Sequence, residues 1–195
     1  MNPLDVKQFY EKFSFLTFSD VEEVLSKVKV QKLKKGDFFV RGEEKNNNIA
    51  FVKEGLLRYY FIKNSGEEIN VFFRQEGTVV AAYQSIFNSS SSSLFIEALE
   101  PCTLLSIDFF ELEKLYETNK NLEKASRKLL QNTLLETLER VEALIINNPE
   151  ARYLHILKTN PDLYQRIPDK YIASYLGVTP VSLSRIRKRL NSNNN

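Results

Sequence analysis

The spacing of apolar residues divides this chain into stretches of different texture. From about Val28 to Asp108, short runs rich in Val, Ile, Phe and Tyr alternate with turn residues at roughly ten-residue intervals, the pattern of an all-β domain. The runs DFFVR, IAFVKEG, LLRYYFI, INVFFR, TVVAAY, LFIEALE and TLLSI read as strands. Gly36, Asn46 to Asn48, Asn64-Ser65-Gly66 and Asn88 to Ser93 read as their connections. Strands so short and numerous close best into a jelly roll or barrel-like roll, which limits exposed edges. Ahead of them, about Asp5 to Lys27 shows apolar recurrence at three and four, the spacing of short helices.

At Phe109 the rhythm becomes helical, and FFELEKLYETNKNLEKASRKLLQNTLLETLERVEALI holds few β-branched residues and no Gly or Pro. Asn119 is a good N-cap, so a break is expected there, with Leu122 opening a second pattern through Leu130, Leu134, Leu138, Val141 and Ile145. From Leu130 onward the gaps are four, four, three and four, a narrow stripe with charged flanks that suits a coiled-coil seam between two copies of the chain. The same stripe could pack on its own β domain, but it outlasts what one small roll can cover. NNPE at 147–150 then breaks the helix and makes a hinge. A helix from about Glu150 to Lys158, the turn NPD and the connector LYQRIPD lead to the last segment.

That segment, IASYLGVTPVSLSRIRKRL, has the parts of a helix-turn-helix. Ala173 is a small residue where two helices can cross, Gly177 suits a turn needing positive φ, and Ile172, Leu176, Val178, Leu183 and Ile186 supply apolar contacts. Thr179 is a natural N-cap and Pro180 a natural first helical residue, so a second helix is expected from Pro180 to about Leu190. Leu183, Ile186 and Leu190 face one way, leaving Val181, Ser182, Arg185, Lys188 and Arg189 on or near the other. Arg185 is the expected base reader, because a guanidinium can take guanine O6 and N7 together. Thr179, Ser182 and Ser184 suit phosphates beside the helix N-terminus, and Lys170, Lys188 and Arg189 suit general backbone contacts. The alternative is a three-helix scaffold with a solvated basic face.

Charge sharpens this picture. The chain has 195 residues and a net charge of only +2, yet residues 169–195 carry five basic residues against the single acid Asp169. One cysteine, Cys102, can make neither an internal disulfide nor an iron–sulfur cluster, and one histidine, His155, leaves no zinc cage. The polar start and the lack of any membrane-length apolar run point to a cytoplasmic protein with no membrane partner.

The order of parts resembles the CRP/FNR family of bacterial transcription regulators, relatives of the catabolite activator protein. The resemblance rests on KKGDFFVRGEE and FVKEGLLRYY in the roll, IEALEPCTLLSID before the helix and YIASYLGVTPVSLSRIRKRL at the end. The spellings IASYLG and SLSRIRK look like those of the Bacteroidetes branch. The resemblance implies an α+β fold: an N-terminal β-roll or jelly roll, cyclic-nucleotide-binding-like, then a long dimerisation helix and a C-terminal, winged-helix-like helix-turn-helix. The corresponding domains are 1–118, 119–147 and 148–195. It also implies a homodimer on a near-palindromic double-stranded DNA operator, with recognition helices about 34 Å apart, and RNA polymerase as a partner where it activates.

Departures from the family pattern matter as much. Its nucleotide binders use a glycine-glutamate pair for the ribose and an arginine-serine pair for the cyclic phosphate. In this chain Ala81 and Ala82, flanked by Val80 and Tyr83, stand at the first place, and Ser91, Ser92 and Ser93 at the second. Alanine cannot accept a ribose hydroxyl and serine cannot neutralise a phosphate, so cyclic AMP in its usual pose is not expected. These seven residues are the candidate pocket for an unknown small-molecule effector, unless the serines are a plain loop; no cofactor is expected. Pro180 and Val181 replace the family's arginine and glutamate ahead of Arg185, so the preferred half-site should differ, with Val181 suited to a thymine methyl. The SNNN ending leaves no room for wing strands, so phosphate anchoring is expected from elsewhere. Two rivals stay open: the same DNA-binding dimer with no ligand, and a cupin-like small-molecule protein with an incidental basic tail. The roll holds no histidine and the chain shows no phosphate-cradling loop, so no enzymatic activity is expected.

Overall fold

The computed structural model describes residues 14–193. Helix α1 (Phe18–Leu25) opens with a capping box, in which the Thr17 and Asp20 side chains each accept the other's backbone N–H. Strands β1 (Lys29–Leu33), β2 (Phe38–Val40), β3 (Asn48–Glu54), β4 (Leu57–Ile62), β5 (Glu68–Arg74) and β6 (Val79–Ala81) follow. Helix α2 (Tyr83–Asn88) then precedes β7 (Phe95–Ala98) and β8 (Cys102–Asp108). The strands form two four-stranded sheets, ordered β1-β8-β3-β6 and β2-β7-β4-β5. Helices α3 (Phe109–Thr118), α4 (Lys120–Ile146), α5 (Pro149–Thr159), α6 (Pro161–Arg166), α7 (Asp169–Leu176) and α8 (Pro180–Asn193) complete the chain. The fold is thus the mixed helix-and-sheet arrangement expected from the sequence. The helices expected between Asp5 and Lys27 fall partly outside the described residues.

Strand alternation gives the first sheet two apolar faces. Ala50, Val52, Val80 and Leu104 lie on one face, almost wholly buried. Register pairs Ile49 with Ile107, and Phe51 with both Leu105 and Val79, on the other. Helices cover this second face, with Val21, Leu115, Leu122 and Ala125 forming a buried cluster. A single-faced sheet would show polar residues at these alternate positions.

Asn119 breaks the helical stretch where expected. Its backbone closes α3, and its side-chain carbonyl accepts the N–H groups of Asn121 and Leu122 at the start of α4. Its amide also donates to Asp20 and Glu23, and Asn121 adds a further bond to Asp20. Burial opposes ionisation of Asp20. The bonds from the Thr17 backbone, Asn119, Asn121 and the Thr17 hydroxyl outweigh it and hold the carboxyl down at about 2.

Three elements differ from the sequence expectation. β1, KVQKL, was not among the expected strands; it pairs only with β8 in its sheet order, and its residues are mostly exposed, which tolerates its lysines. α2 occupies part of the segment taken for strand and loop. PDLYQR, expected as turn and connector, is helix α6, since Pro161 at the first position fits a helix start as well as a turn.

The chain condenses into two compact units. Among the described residues, one comprises 14–59 with Phe73–Thr133, and the other Tyr60–Phe72 with 134–193. In the second, Ile156, Ile172, Ala173, Leu176, Leu183 and Ile186 are buried as the core beneath the helix-turn-helix.

Candidate DNA-binding face and effector site

The turn between α7 and α8 is built as its residues dictate. Gly177 takes φ +69° and closes α7, and Val178 N–H bonds the Ala173 carbonyl at 3.0 Å. Thr179 then caps α8 by accepting the Ser182 N–H at 3.2 Å. Leu183 and Ile186 turn into the core against Ile172, Ala173 and Leu176. This leaves Val181, Ser184, Arg185, Lys188 and Arg189 exposed on the outer side, with Ser182 half-buried beside the cap.

The five cations of this segment are not equivalent. Arg187 points inward to Asp169 at 2.6 Å and to the Tyr153 hydroxyl at 3.0 Å. The Asp169 carboxylate and that hydroxyl stabilise its charge and raise its pKa. Arg189, expected on the DNA backbone, pairs with Glu150, and the Lys170 ammonium lies 4.6 Å from the Tyr171 ring centre. Among the described residues, Arg185 and Lys188 make no ion pair, so they project the uncommitted charge of α8.

Two arginines that the sequence reading missed hold this unit in place. Arg152, buried, donates to the carbonyls of Leu176 at 2.6 Å and of Asn147. Arg140 bonds the Tyr175 carbonyl, with its guanidinium carbon 3.6 Å from the Tyr175 ring centre. Both therefore satisfy carbonyls at the end of α7, which an isolated helix leaves unpaired. Burial lowers the pKa of Arg140, the Tyr175 hydroxyl opposing it. Neither residue fits an apolar stripe or a motif, so no periodic signal marks them. A third contact joins residues far apart in sequence: the Ser174 hydroxyl donates to the Glu68 carbonyl at 2.8 Å and accepts the Asn70 N–H at 3.0 Å. Beside it lies a polar cleft of about 570 Å³, lined among others by Glu67, Lys170, Tyr171 and Thr179.

The stripe along α4 splits. Leu134, Leu138, Val141 and Ile145 are 59%, 55%, 47% and 78% exposed, and Leu135, Leu144 and Ile146 widen the apolar surface they present. Leu130 is half-buried. Leu122 corrects the expectation: at 4% exposure it belongs to the core of its own domain, because the start of α4 packs on α1 and α3 before the helix reaches solvent.

The seven candidate effector residues differ in burial and in partners. Val80, Ala81 and Ala82 are buried within β6 and its end, and the Ala81 N–H bonds the Tyr59 hydroxyl at 3.0 Å. Ser92 is buried, its hydroxyl donating to Gln84 and accepting the Leu94 N–H, while Ser91 and Ser93 are exposed. Tyr83 lines an apolar cavity on the helical side of the sheet. Arg58, a buried cation of the roll, is bound by Glu97 at 2.5 and 2.9 Å. Among the described residues no cluster of three His, Cys, Asp or Glu could hold a metal ion, and no helix is long and apolar enough to cross a membrane.

Comparison with known proteins adds an independent line. Residues 30–119 match the family model of the cyclic nucleotide-binding domain. No curated protein matches the chain. Among solved structures, the c-di-GMP responsive global regulator CLP of Xanthomonas campestris superposes with a TM-score of 0.72 at 17% identity, over 89% of this chain and 91% of that one. FixK2 from Bradyrhizobium japonicum gives 0.72 at 16% identity, over 86% of each chain. The catabolite activator protein of Thermus thermophilus gives 0.59 at 18% identity, over 94% of this chain and 87% of that one.

Proposed function

We propose that this chain, which carries a cyclic nucleotide-binding domain and the fold of the CRP/FNR regulators, is a dimeric, sequence-specific DNA-binding transcription regulator whose effector is not cyclic AMP in its usual pose. The observation that carries the reading is the outer side of α8. A capped helix N-terminus, an exposed Val181 and two cations unpaired among the described residues, Arg185 and Lys188, stand together above a buried scaffold. Such a face can enter a major groove, with Arg185 on a guanine and Val181 on a thymine methyl. Thr179, Ser182 and Ser184 take phosphate oxygens at its start, and Lys188 and Lys170 take them along the flanks. Arg189 has a smaller part, since reaching a phosphate means leaving Glu150. The exposed apolar stripe from Leu134 to Ile145 is the surface for a second copy, which would set two such helices on a near-palindromic site.

The residues of the nucleotide cassette do not fit a cyclic nucleotide. Ala81 and Ala82 offer buried methyl groups where a ribose hydroxyl needs an acceptor, Ser92 is engaged by Gln84 and Leu94, and Arg58 is neutralised by Glu97. Burying a phosphate there without a cation is unfavourable.

The test is selection of bound duplexes from a random library by the purified protein at fixed, near-physiological salt, with and without cyclic AMP. The expected result is a two-fold motif with half-sites about 34 Å apart that the nucleotide leaves unchanged. A motif appearing only with cyclic AMP refutes the reading of the cassette, and no motif under any condition refutes the reading of α8.

A further inference from the structure

A cavity of about 120 Å³ lies on the helical side of the first sheet, sharing only Tyr83 with the seven candidate effector residues. Ile49, Phe51, Val79, Leu105 and Ile107 form its floor, and α1, α3 and the first turns of α4 form its walls. Its lining holds no charged residue. The polar side chains are Tyr83, Tyr116 and Ser126. The Tyr116 hydroxyl is buried and has no hydrogen-bond partner among the described residues. Burial pushes this phenol up to about 12, the neighbouring Ser126 hydroxyl opposing it; like any tyrosine it holds its proton at neutral pH.

We propose that this cavity binds a neutral, apolar molecule about the size of one aromatic ring that carries a single hydrogen-bond acceptor for the Tyr116 hydroxyl. An empty apolar void deprives its lining of dispersion contacts, and voids of comparable size lined by Leu, Ile and Phe stay dry and admit benzene-sized guests. A buried hydroxyl without a partner is unfavourable, and an acceptor on the guest removes that penalty. A charged guest is excluded, because no counter-charge lines the site. Leu122, Ala125, Ser126, Leu129 and Leu130 put the start of α4 in direct contact with the guest, and α4 continues into the exposed stripe from Leu134 onward. A guest would therefore act on the dimer helix. That consequence rests on the regulator reading, whereas the binding itself does not.

The test uses the full chain with two probes, acetophenone, which has a ring and one acceptor, and ethylbenzene, which has the ring alone. Ligand-observed NMR titration and thermal unfolding should show both binding saturably and acetophenone binding more tightly. Tyr116→Phe should weaken acetophenone about fivefold while leaving ethylbenzene unchanged, which is the loss expected for one hydrogen bond. Ala125→Phe should fill the void and abolish both; should that variant not fold, Leu129→Phe fills it from a half-buried position. Absence of saturable binding to the wild-type chain, or equal acetophenone affinity in Tyr116→Phe, overturns the proposal. Probe binding without a DNA motif in the library selection would overturn the regulator reading and leave the cavity assignment standing.

Discussion

Replacing Leu138 with alanine separates the proposed dimer seam from the fold. Leu138 is 55% exposed, so its own domain holds less than half of it and a partner helix would cover the remainder. Leu→Ala removes three carbons, about 2.4 kcal/mol if all were newly buried at about 0.8 kcal/mol each. Scaled by the exposed share, the loss is about 1.3 kcal/mol per copy. A symmetric dimer loses it twice, about 2.6 kcal/mol, or an increase of about eightyfold in the dimer dissociation constant. Alanine is a strong helix former, so the monomer fold should be retained. Leu122→Ala is the contrasting control: Leu122 is 4% exposed in its own core, so its truncation should cost about 2–5 kcal/mol of folding stability instead. Sedimentation equilibrium across a concentration series measures the first, and urea unfolding the second. A Leu138→Ala variant that dimerises like the wild type would refute the assignment of this stripe to a second copy.

Arg185→Ala should weaken binding to the selected operator by about 1–3 kcal/mol and relax preference at one base pair per half-site; an equal loss on every sequence would assign Arg185 to phosphate instead. Asp20 makes a signed pH prediction. Its folded-state pKa of about 2 lies below its ordinary 3.8, so its stabilisation is fully present above about pH 4 and is lost as the pH falls from there through 2. Urea midpoints measured from pH 5 to pH 2 should fall less steeply in Asp20→Asn, and parallel profiles would remove Asp20 from the acid response.

Periodicity carried most of the fold because it reports burial directly. The alternation in β3 and β8 and the three-and-four spacing of Leu183 and Ile186 correspond to faces that the structure buries. The capping residues Thr179 and Asn119 were legible for a similar reason, since their bonds run only two or three residues along the chain. β1 escaped because an edge strand with lysines carries little apolar signal. Leu122 misled because one unbroken stripe serves two environments, its start against its own domain and its continuation facing solvent. The contacts of Ser174 with Glu68 and Asn70, and of Arg152 with Leu176, depend on residues brought together only by folding, and no local pattern encodes them.

The guanidinium bonds at the end of α7 have a consequence for how the molecule should respond to ionic strength. Arg152 and Arg140 act on backbone carbonyls from buried or half-buried positions, where mobile ions screen weakly. Arg185 and Lys188 stand in solvent, where counterion release makes any grip on nucleic acid fall steeply as salt rises. Raising the salt should therefore detach the protein from DNA well before it loosens the helix-turn-helix. Release would then leave the reading head assembled and ready to engage again when the salt falls.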